Sequence, residues 1–599
     1  MESGQPQPEI FFKSQAQYYT ARLKEIKRSI RNTSILRMLI FLVTILGVFL
    51  TTTLSGWWVA AVALSGLSVF MMLVIRHVKL FHQKHDVNKL LQINQNELLL
   101  LRRNTKNQLD GKEYLSAEHP YAADLDVFGD RSLFQLLDRS ATGEGRDKLA
   151  AGLLNPDLSG QIIRHRQEAI AELAGLPLWR QEFQALGENE NASISNDLCK
   201  WALARGQRWN KPVYKILTLL TPVVGFGVVS LIAFGELGFG AFLLFLMVPL
   251  SILGLHFTAI NAEYGQLGKK TKMLKMYARL FQKIEDQKFE SALLQKAAQR
   301  LVDGSHAASA AFKHLESISK AFDYRLNFLV GFTLDVFFLW DILQLMRLEK
   351  WKIRYGNEMK QWFESIAEFD ELCSFAGFAY QHPEAVFPGL SEHFKVQGHQ
   401  LKHPFIDPEK CVGNPVNIDG WKQFQIITGA NMAGKSTYLR TVGVNLLLAN
   451  CGAPVLADDF VFQPVQLFTG IKTSDSLQEG ESYFFAELKR LHEIILRLEK
   501  GEQLFIILDE ILRGTNSKDK QKGSRALLQQ LIRLQASGLV ATHDLALGSL
   551  ADEFPKNIIN KRFEVEIENN QMVFDYRLKE GISQNLNATF LMKKMGITM

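Results

Sequence analysis

The chain has 599 residues, enough for about three or four domains. Its 68 Lys and Arg against 62 Asp and Glu leave a net charge of +6, which excludes a basic nucleic-acid footprint over the whole chain. Four dispersed cysteines (Cys199, Cys373, Cys411, Cys451) form no C-x-x-C pair, which argues against a disulfide framework or structural zinc and suits a reducing compartment.

Residues 1–37 are polar and read as a cytoplasmic N-terminal segment. Met38–Leu54 and Trp57–Ile75 follow, both free of charge and separated by Ser55-Gly56. Each is close to the ~20 residues that cross a bilayer, and Trp57 and Trp58 mark the break as interfacial aromatics do. This predicts a transmembrane hairpin over 38–75, then a helical linker over 76–132. Ile216–Phe234 and Leu237–Phe257, around Glu236, predict a second hairpin over 213–260. Buried core helices fit four such paired runs poorly. A signal peptide fits poorly too, because a long polar lead precedes the first run and a second span follows at once.

Arg22, Lys24, Lys27, Arg28, Arg31 and Arg37 precede the first hairpin, and Arg76, Lys79 and Lys84 follow it. Arg205, Arg208, Lys211, Lys215, Lys269 and Lys270 flank the second, while neither tip carries Lys or Arg. The positive-inside rule then expects a multi-pass cell-membrane protein with cytoplasmic long segments and lipid as a partner. Phe328–Trp340 is apolar but short and interrupted by Asp335, which suits a buried or membrane-adjacent helix. Lys269, Lys270, Lys272, Lys275 and Arg279 fit a solvated helix face or a lipid-headgroup contact, or else a DNA-backbone contact.

The chemistry lies in the last third. The apolar strand Gln425–Thr428 runs into Gly429-Ala430-Asn431-Met432-Ala433-Gly434-Lys435-Ser436-Thr437 and then a helical stretch to about Asn450. This is strand, G-x-x-x-x-G-K-S, helix. The glycines let backbone N–H groups face phosphate oxygens, and the helix N-terminus adds its positive end. Lys435 would reach the β and γ phosphates of ATP, and Ser436 would ligate Mg2+. A second apolar strand, Leu504–Leu508, delivers Asp509 and Glu510 at its tip. Asp509 would hold Mg2+ and Glu510 would polarise the attacking water. A third strand, Leu539–Thr542, ends in His543, which would sit beside the γ-phosphate. Strands alternating with helices imply a mostly parallel sheet covered on both faces.

These residues carry a family resemblance. Ile427–Thr437 resembles the P-loop of the MutS family of DNA mismatch repair ATPases, T-G-P-N-M-G-G-K-S-T, with Ala430 for proline and Ala433 for glycine. Asp509–Ser517 with Asp519 resembles D-E-I-G-R-G-T-S-T-x-D, Ala541-Thr542-His543 resembles A-T-H, and His403-Pro404 resembles the H-P that opens the family's ATPase domain. Ser482–Glu487 is similar to S-T-F-M-x-E, with Tyr483 for threonine, and Tyr576–Ser583 to Y-x-L-x-x-G-x-S. Leu133–Thr142 with Leu153–Pro156, and Ile366–Leu372, resemble the start and end of the family's helical core.

The apolar runs and the resemblance together predict a multi-domain fold. Four transmembrane helices in two hairpins join a MutS-like helical core, over 133–212 and 261–395, and a C-terminal α/β P-loop ATPase domain of ABC type over 396–599. The resemblance also implies a homodimer in which Ser482 is presented to the partner subunit's ATP, and a catalytic role for Glu510 and His543.

The family's mismatch reader is an N-terminal domain with an F-x-E wedge. No F-x-E occurs between the first hairpin and Leu133, the lead before that hairpin is too short for the domain, and the middle of the core shows no β-rich clamp insert. The expected function is a membrane-anchored MutS-type ATPase whose cycle acts on DNA, mismatched, branched or plain duplex. The alternative is a membrane ATPase that remodels or transports a non-DNA partner. Against a transporter stand the absent L-S-G-G-Q signature and charge-free spans. Against a structural anchor with a dead ATPase stand the intact Lys435, Asp509 and Glu510.

Overall fold

A computed structural model describes residues 7–53, 55–187, 193–204, 209–268, 270–302, 306–430, 432–471, 483–512, 515–568 and 571–583. The chain forms two compact units. One comprises Met1–Asp138, Gly152–Ala185 and Phe375–Met599, the other Arg139–Ala151 and Leu186–Ser374.

The first unit begins with two long helices, α1 (Pro8–Thr51) and α2 (Gly56–Leu101). At 1.5 Å per residue they are roughly 65–70 Å long, about twice the thickness of a bilayer core. Both therefore run well beyond the apolar stretches, because nothing between Pro8 and Thr51 breaks the helix. In the apolar windows only 6% of residues are buried inside the protein, so the surface there is aliphatic and aromatic. Gly66 lies where an added Cβ would stand 2.2 Å from Thr44, so the two backbones approach closely. The polar half of α1 buries Phe12, Tyr19, Ile26 and Thr33, spaced by sevens, which is a coiled-coil seam and makes this half a stalk.

At the stalk's base Phe11 and Phe12 meet the Tyr380 ring edge-on at 5.5 and 5.6 Å. Asn94 and Gln181 exchange amide hydrogen bonds of 3.1 and 2.9 Å.

Only the first part of the expected linker is helical. After Leu101, left-handed residues at Arg103, Gly111, Asp126, Gly129 and Arg131 turn the chain repeatedly. Buried Asp124 accepts hydrogen bonds from the Thr469 hydroxyl (2.6 Å) and Ile471 N–H (3.1 Å), Asp126 pairs with Arg440 at 3.4 Å, and Leu125 packs on Gly443.

The second unit holds the other two helices long and apolar enough to cross a membrane, α3 (Pro212–Ala233) and α4 (Phe239–Leu267). Helix α5 (Thr271–Glu285) buries Leu274, Tyr277, Phe281 and Ile284, with Tyr277 and Phe281 against Phe312 of α6 (Ala308–Asp323), and leaves Lys272 and Lys275 exposed. Buried Asp370 accepts bonds from Ala141 N–H and Thr142 N–H, each 2.8 Å. The two sequence segments singled out at the ends of the helical core thus meet. Two further helices, α7 (Phe328–Phe338) and α8 (Trp340–Tyr355), follow, bent by 76° at left-handed Leu339. Of Phe328–Trp340, read as a buried or membrane-adjacent helix, Gly331, Val336 and Leu339 are buried and the first turn is not. Phe328 and Leu329 are 78% and 74% exposed.

The C-terminal part of the first unit carries two sheets. Strands β1 (Gly389–Leu390), β2 (Lys395–Leu401), β3 (Asn414–Asp419) and β5 (Asp459–Phe462) pair in the order β1-β5-β2-β3. Strands β4 (Phe424–Gly429), β6 (Gln466–Gly470), β7 (Leu504–Asp509), β8 (Ser537–Thr542), β9 (Ile558–Glu568) and β10 (Gln571–Glu580) form a sheet in the order β10-β9-β4-β8-β7-β6. All pairs in it are parallel except β9 with β10. Helix α9 (Lys435–Asn450) follows β4, α10 (Tyr483–Glu499) precedes β7, and α11 (Ser517–Arg533) precedes β8. Strands β4, β7 and β8 are buried at every position, as covered parallel strands require, and Phe424, Ile426, Ile506 and Val540 share one core with Leu528 and Leu531 of α11.

Candidate nucleotide site

Parallel pairing places the three chemistry-bearing strand tips side by side. Asp509 of β7 is opposite Ala541 of β8, and Thr428 of β4 is opposite Thr542. Ligands of open α/β sheets bind at this carboxyl edge.

The loop from β4 to α9 needs its glycines. Gly429 (φ +154°) could not carry a side chain, because a Cβ there would stand 2.7 Å from the Phe563 carbonyl oxygen. Gly434 (φ +106°) caps the start of α9, whose first N–H groups have no partner inside the helix. Between them Ala433 is buried and Met432 is 80% exposed with φ +68°. Ala430, Ser436 and Thr437 line a cavity in front of the loop. Asn431 and Ser482 lie outside the described residues.

Lys435 is 5% exposed, and its Nζ donates to the carbonyls of Gly429 (2.8 Å) and Ala430 (2.9 Å). The His543 ring nitrogens lie 3.4 Å from the same Nζ. The Ser436 hydroxyl donates to the buried Asp509 carboxylate. A hydroxyl and a carboxylate converging from two strand tips are oxygen donors of the kind Mg2+ takes. Glu510 sits in the left-handed region (φ +54°), held by its N–H to the Ala541 carbonyl at 2.9 Å, and its carboxylate meets His543 Nε2 at 2.6 Å. The structure thus brings Lys435, Ser436, Asp509, Glu510 and His543 into one cluster. Glu487 of α10 accepts from Leu512 N–H at 2.5 Å, tying the S-Y-F-F-A-E segment to the loop behind Glu510.

The cavity has a volume of about 440 Å³, within the range of small-ligand sites. One wall comes from residues to which the sequence reading assigned no role: Lys410, Cys411, Val412, Asn414 and Tyr576. Tyr576 stands where the β9–β10 register shifts, with φ +51°. The Asn414 side chain brackets it, donating to the Tyr576 carbonyl (2.9 Å) and accepting from Leu578 N–H (2.7 Å). Tyr576 is 45% exposed. The one sequence signal available was that this tyrosine opens the Y-x-L-x-x-G-x-S segment.

His403, of the H-P pair, is pushed down to about 4 by burial and by the nearby Arg440 guanidinium. The unfolded chain takes up this proton near 6.5 and the folded chain only near 4. Stability is therefore lost as pH falls through that window, by about 2–3 kcal/mol from this group. His403→Gln should flatten the fall in unfolding midpoint between pH 7 and pH 4.5, and an unchanged slope would show that His403 does not contribute.

MutS domain V, an ATPase domain, matches residues 425–593. The DNA mismatch repair protein MutS of Thermotoga maritima is 30% identical over 240 residues, covering 39% of this chain and 29% of its own length. That of Thermotoga neapolitana is 32% identical over 226 residues (37% and 27%), and that of Borrelia hermsii 28% over 254 residues (41% and 29%). The chain thus spans under a third of the length of the curated relatives it matches.

Proposed function

Taking as premise that this chain belongs to the MutS family through its ATPase domain, we propose that it is a membrane-anchored ATPase whose nucleotide cycle drives a dimer acting on DNA. The observation that carries the reading is the convergence of Lys435, Ser436, Asp509, Glu510 and His543 at one sheet edge, beside a nucleotide-sized cavity.

In this reading the backbone N–H groups of residues 429–434 and the start of α9 cradle the phosphates of ATP. Lys435 exchanges its carbonyl partners for β and γ oxygens. Ser436 and Asp509 would hold Mg2+, which would neutralise phosphate charge. Glu510 orients the attacking water and accepts its proton, and His543, fixed between Glu510 and Lys435, faces the γ-phosphate. The base stacks on Tyr576. Tyr576→Ala should weaken ATP binding about 10-fold, from roughly 1–2 kcal/mol of lost ring contact. Unchanged affinity by titration calorimetry would remove Tyr576 from the site.

Each site is completed by Ser482 of the second subunit, so the working form is a homodimer. The four apolar helices hold it in the membrane, with the helical core and ATPase domain in the cytoplasm. The DNA assignment rests on what the relatives are named for. It is tested by the ATPase rate of detergent-purified protein without DNA and with homoduplex, mismatched and branched DNA, at low and moderate salt. A rate raised by one of these and weakened by salt supports it. A rate indifferent to all leaves the alternative, an ATPase that works on a membrane or protein partner. The exposed apolar helices that continue into the α1–α2 stalk favour that second reading.

A further inference from the structure

Helix α7 has a surface that the ATPase and the two hairpins leave unexplained. Its eleven residues, FLVGFTLDVFF, hold a single charge, Asp335, and at 1.5 Å per residue it reaches roughly 16 Å, half a bilayer core. Phe328 and Leu329 are 78% and 74% exposed, and Val330 and Phe332 are 41% and 42% exposed. Such a patch in water would be a standing aggregation hazard.

Two observations say what covers it. First, the patch is continuous with the second hairpin. Phe337 stacks on Phe226 of α3 at 5.3 Å and meets Phe245 of α4 at 6.1 Å, and Gly225 leaves room for both rings. These contacts lie well inside α3 and α4, remote from the lysines that flank the hairpin. Second, the polar groups of α7 gather at its base. Arg325 pairs with Asp341 at 3.5 Å, Asp335 accepts from Asp341 N–H at 2.9 Å, and the Arg325 guanidinium lies 5.1 Å from the Tyr264 ring. Tyr324 and Trp340 bracket the same level, their rings 6.2 Å apart, as aromatics do at a membrane interface. The outward face of the helix is therefore apolar apart from Thr333, whose hydroxyl donates back to the Leu329 carbonyl at 2.7 Å, and its charged groups lie where it joins the protein.

We propose that α7 is a fifth membrane element: a non-spanning helix immersed in the acyl chains of the cytoplasmic leaflet, with Phe328, Leu329, Val330 and Phe332 in contact with lipid. It enters and leaves on the same side, because α8 turns away by 76° at Leu339 and buries its own length in protein. A wedge in one leaflet makes this unit sensitive to lipid packing. The proposal rests on the membrane reading of α3 and α4, and the test separates the two.

Leu329→Cys and, in α4, Leu244→Cys are introduced singly into the full chain, labelled with bimane and reconstituted into nanodiscs with and without doxyl-labelled phosphatidylcholine, with the labelled parent subtracted. Both positions should lose most of their emission to doxyl lipid, and Phe332→Cys should behave as Leu329→Cys if the latter folds poorly. Quenching at 244 without quenching at 329 or 332 would overturn the wedge and leave the hairpin intact. No quenching at any of the three would overturn the membrane reading and the wedge with it.

Discussion

Lys435→Ala is expected to lower ATP affinity by about 10²- to 10⁴-fold. Two charge-assisted bonds to phosphate oxygens, each about 1.5–3 kcal/mol, go with the ammonium. The loss is larger than at a surface lysine because Lys435 is 5% exposed. The same change frees the carbonyls of Gly429 and Ala430, which Lys435 holds at 2.8 and 2.9 Å, so the loop also loses its brace. Lys435→Arg should not rescue, because a forked guanidinium does not fit the space of a point charge. Calorimetric titration with a non-hydrolysable ATP analogue reads the outcome directly. Affinity within a few-fold of the parent would mean that nucleotide binds elsewhere or not at all.

The second large effect is kinetic. Glu510→Gln is expected to bind ATP about as well as the parent while turnover falls about 10²- to 10⁴-fold, the range for losing a positioned general base. Glutamine keeps the size and one oxygen, so the 2.6 Å contact to His543 can be retained as a neutral hydrogen bond and the strand tip keeps its shape. What is lost is the ability to accept the proton of the attacking water. ATP should then accumulate at the site and hold the ATPase domains together, visible as a shift to dimer in light scattering with ATP and not with ADP. Glu510→Gln with parental turnover would remove Glu510 from the chemistry. Loss of binding together with turnover would assign it a structural role instead.

Much of this site was legible in sequence because its parts are local. A P-loop is one continuous segment, and strands buried on both faces read as unbroken apolar runs such as Leu504–Leu508. The residues at their tips follow directly. The cavity's far wall was not legible. Asn414 and Tyr576 stand 162 residues apart, and they meet through a register shift in β9–β10 that no periodicity announces. The bracing of the Glu510 loop by Glu487 is likewise a product of tertiary packing.

The long apolar helices were legible in kind but not in extent. Hydropathy finds the apolar windows, whereas the stalk is marked by Phe12, Tyr19, Ile26 and Thr33, a heptad too polar to register on such a scale. The non-helical path after Leu101 is set by left-handed turns and by side-chain bonds such as Asp124 to Thr469, which span hundreds of residues.

The central claim, that one chain both sits in a membrane and hydrolyses ATP at this cluster, is tested most directly by one assay. Membranes containing the full chain are washed with alkaline carbonate, and ATP hydrolysis is measured in pellet and supernatant beside the Glu510→Gln variant. The account predicts activity that stays in the pellet and is absent from the variant. Activity released to the supernatant, or equal in the variant, would contradict it.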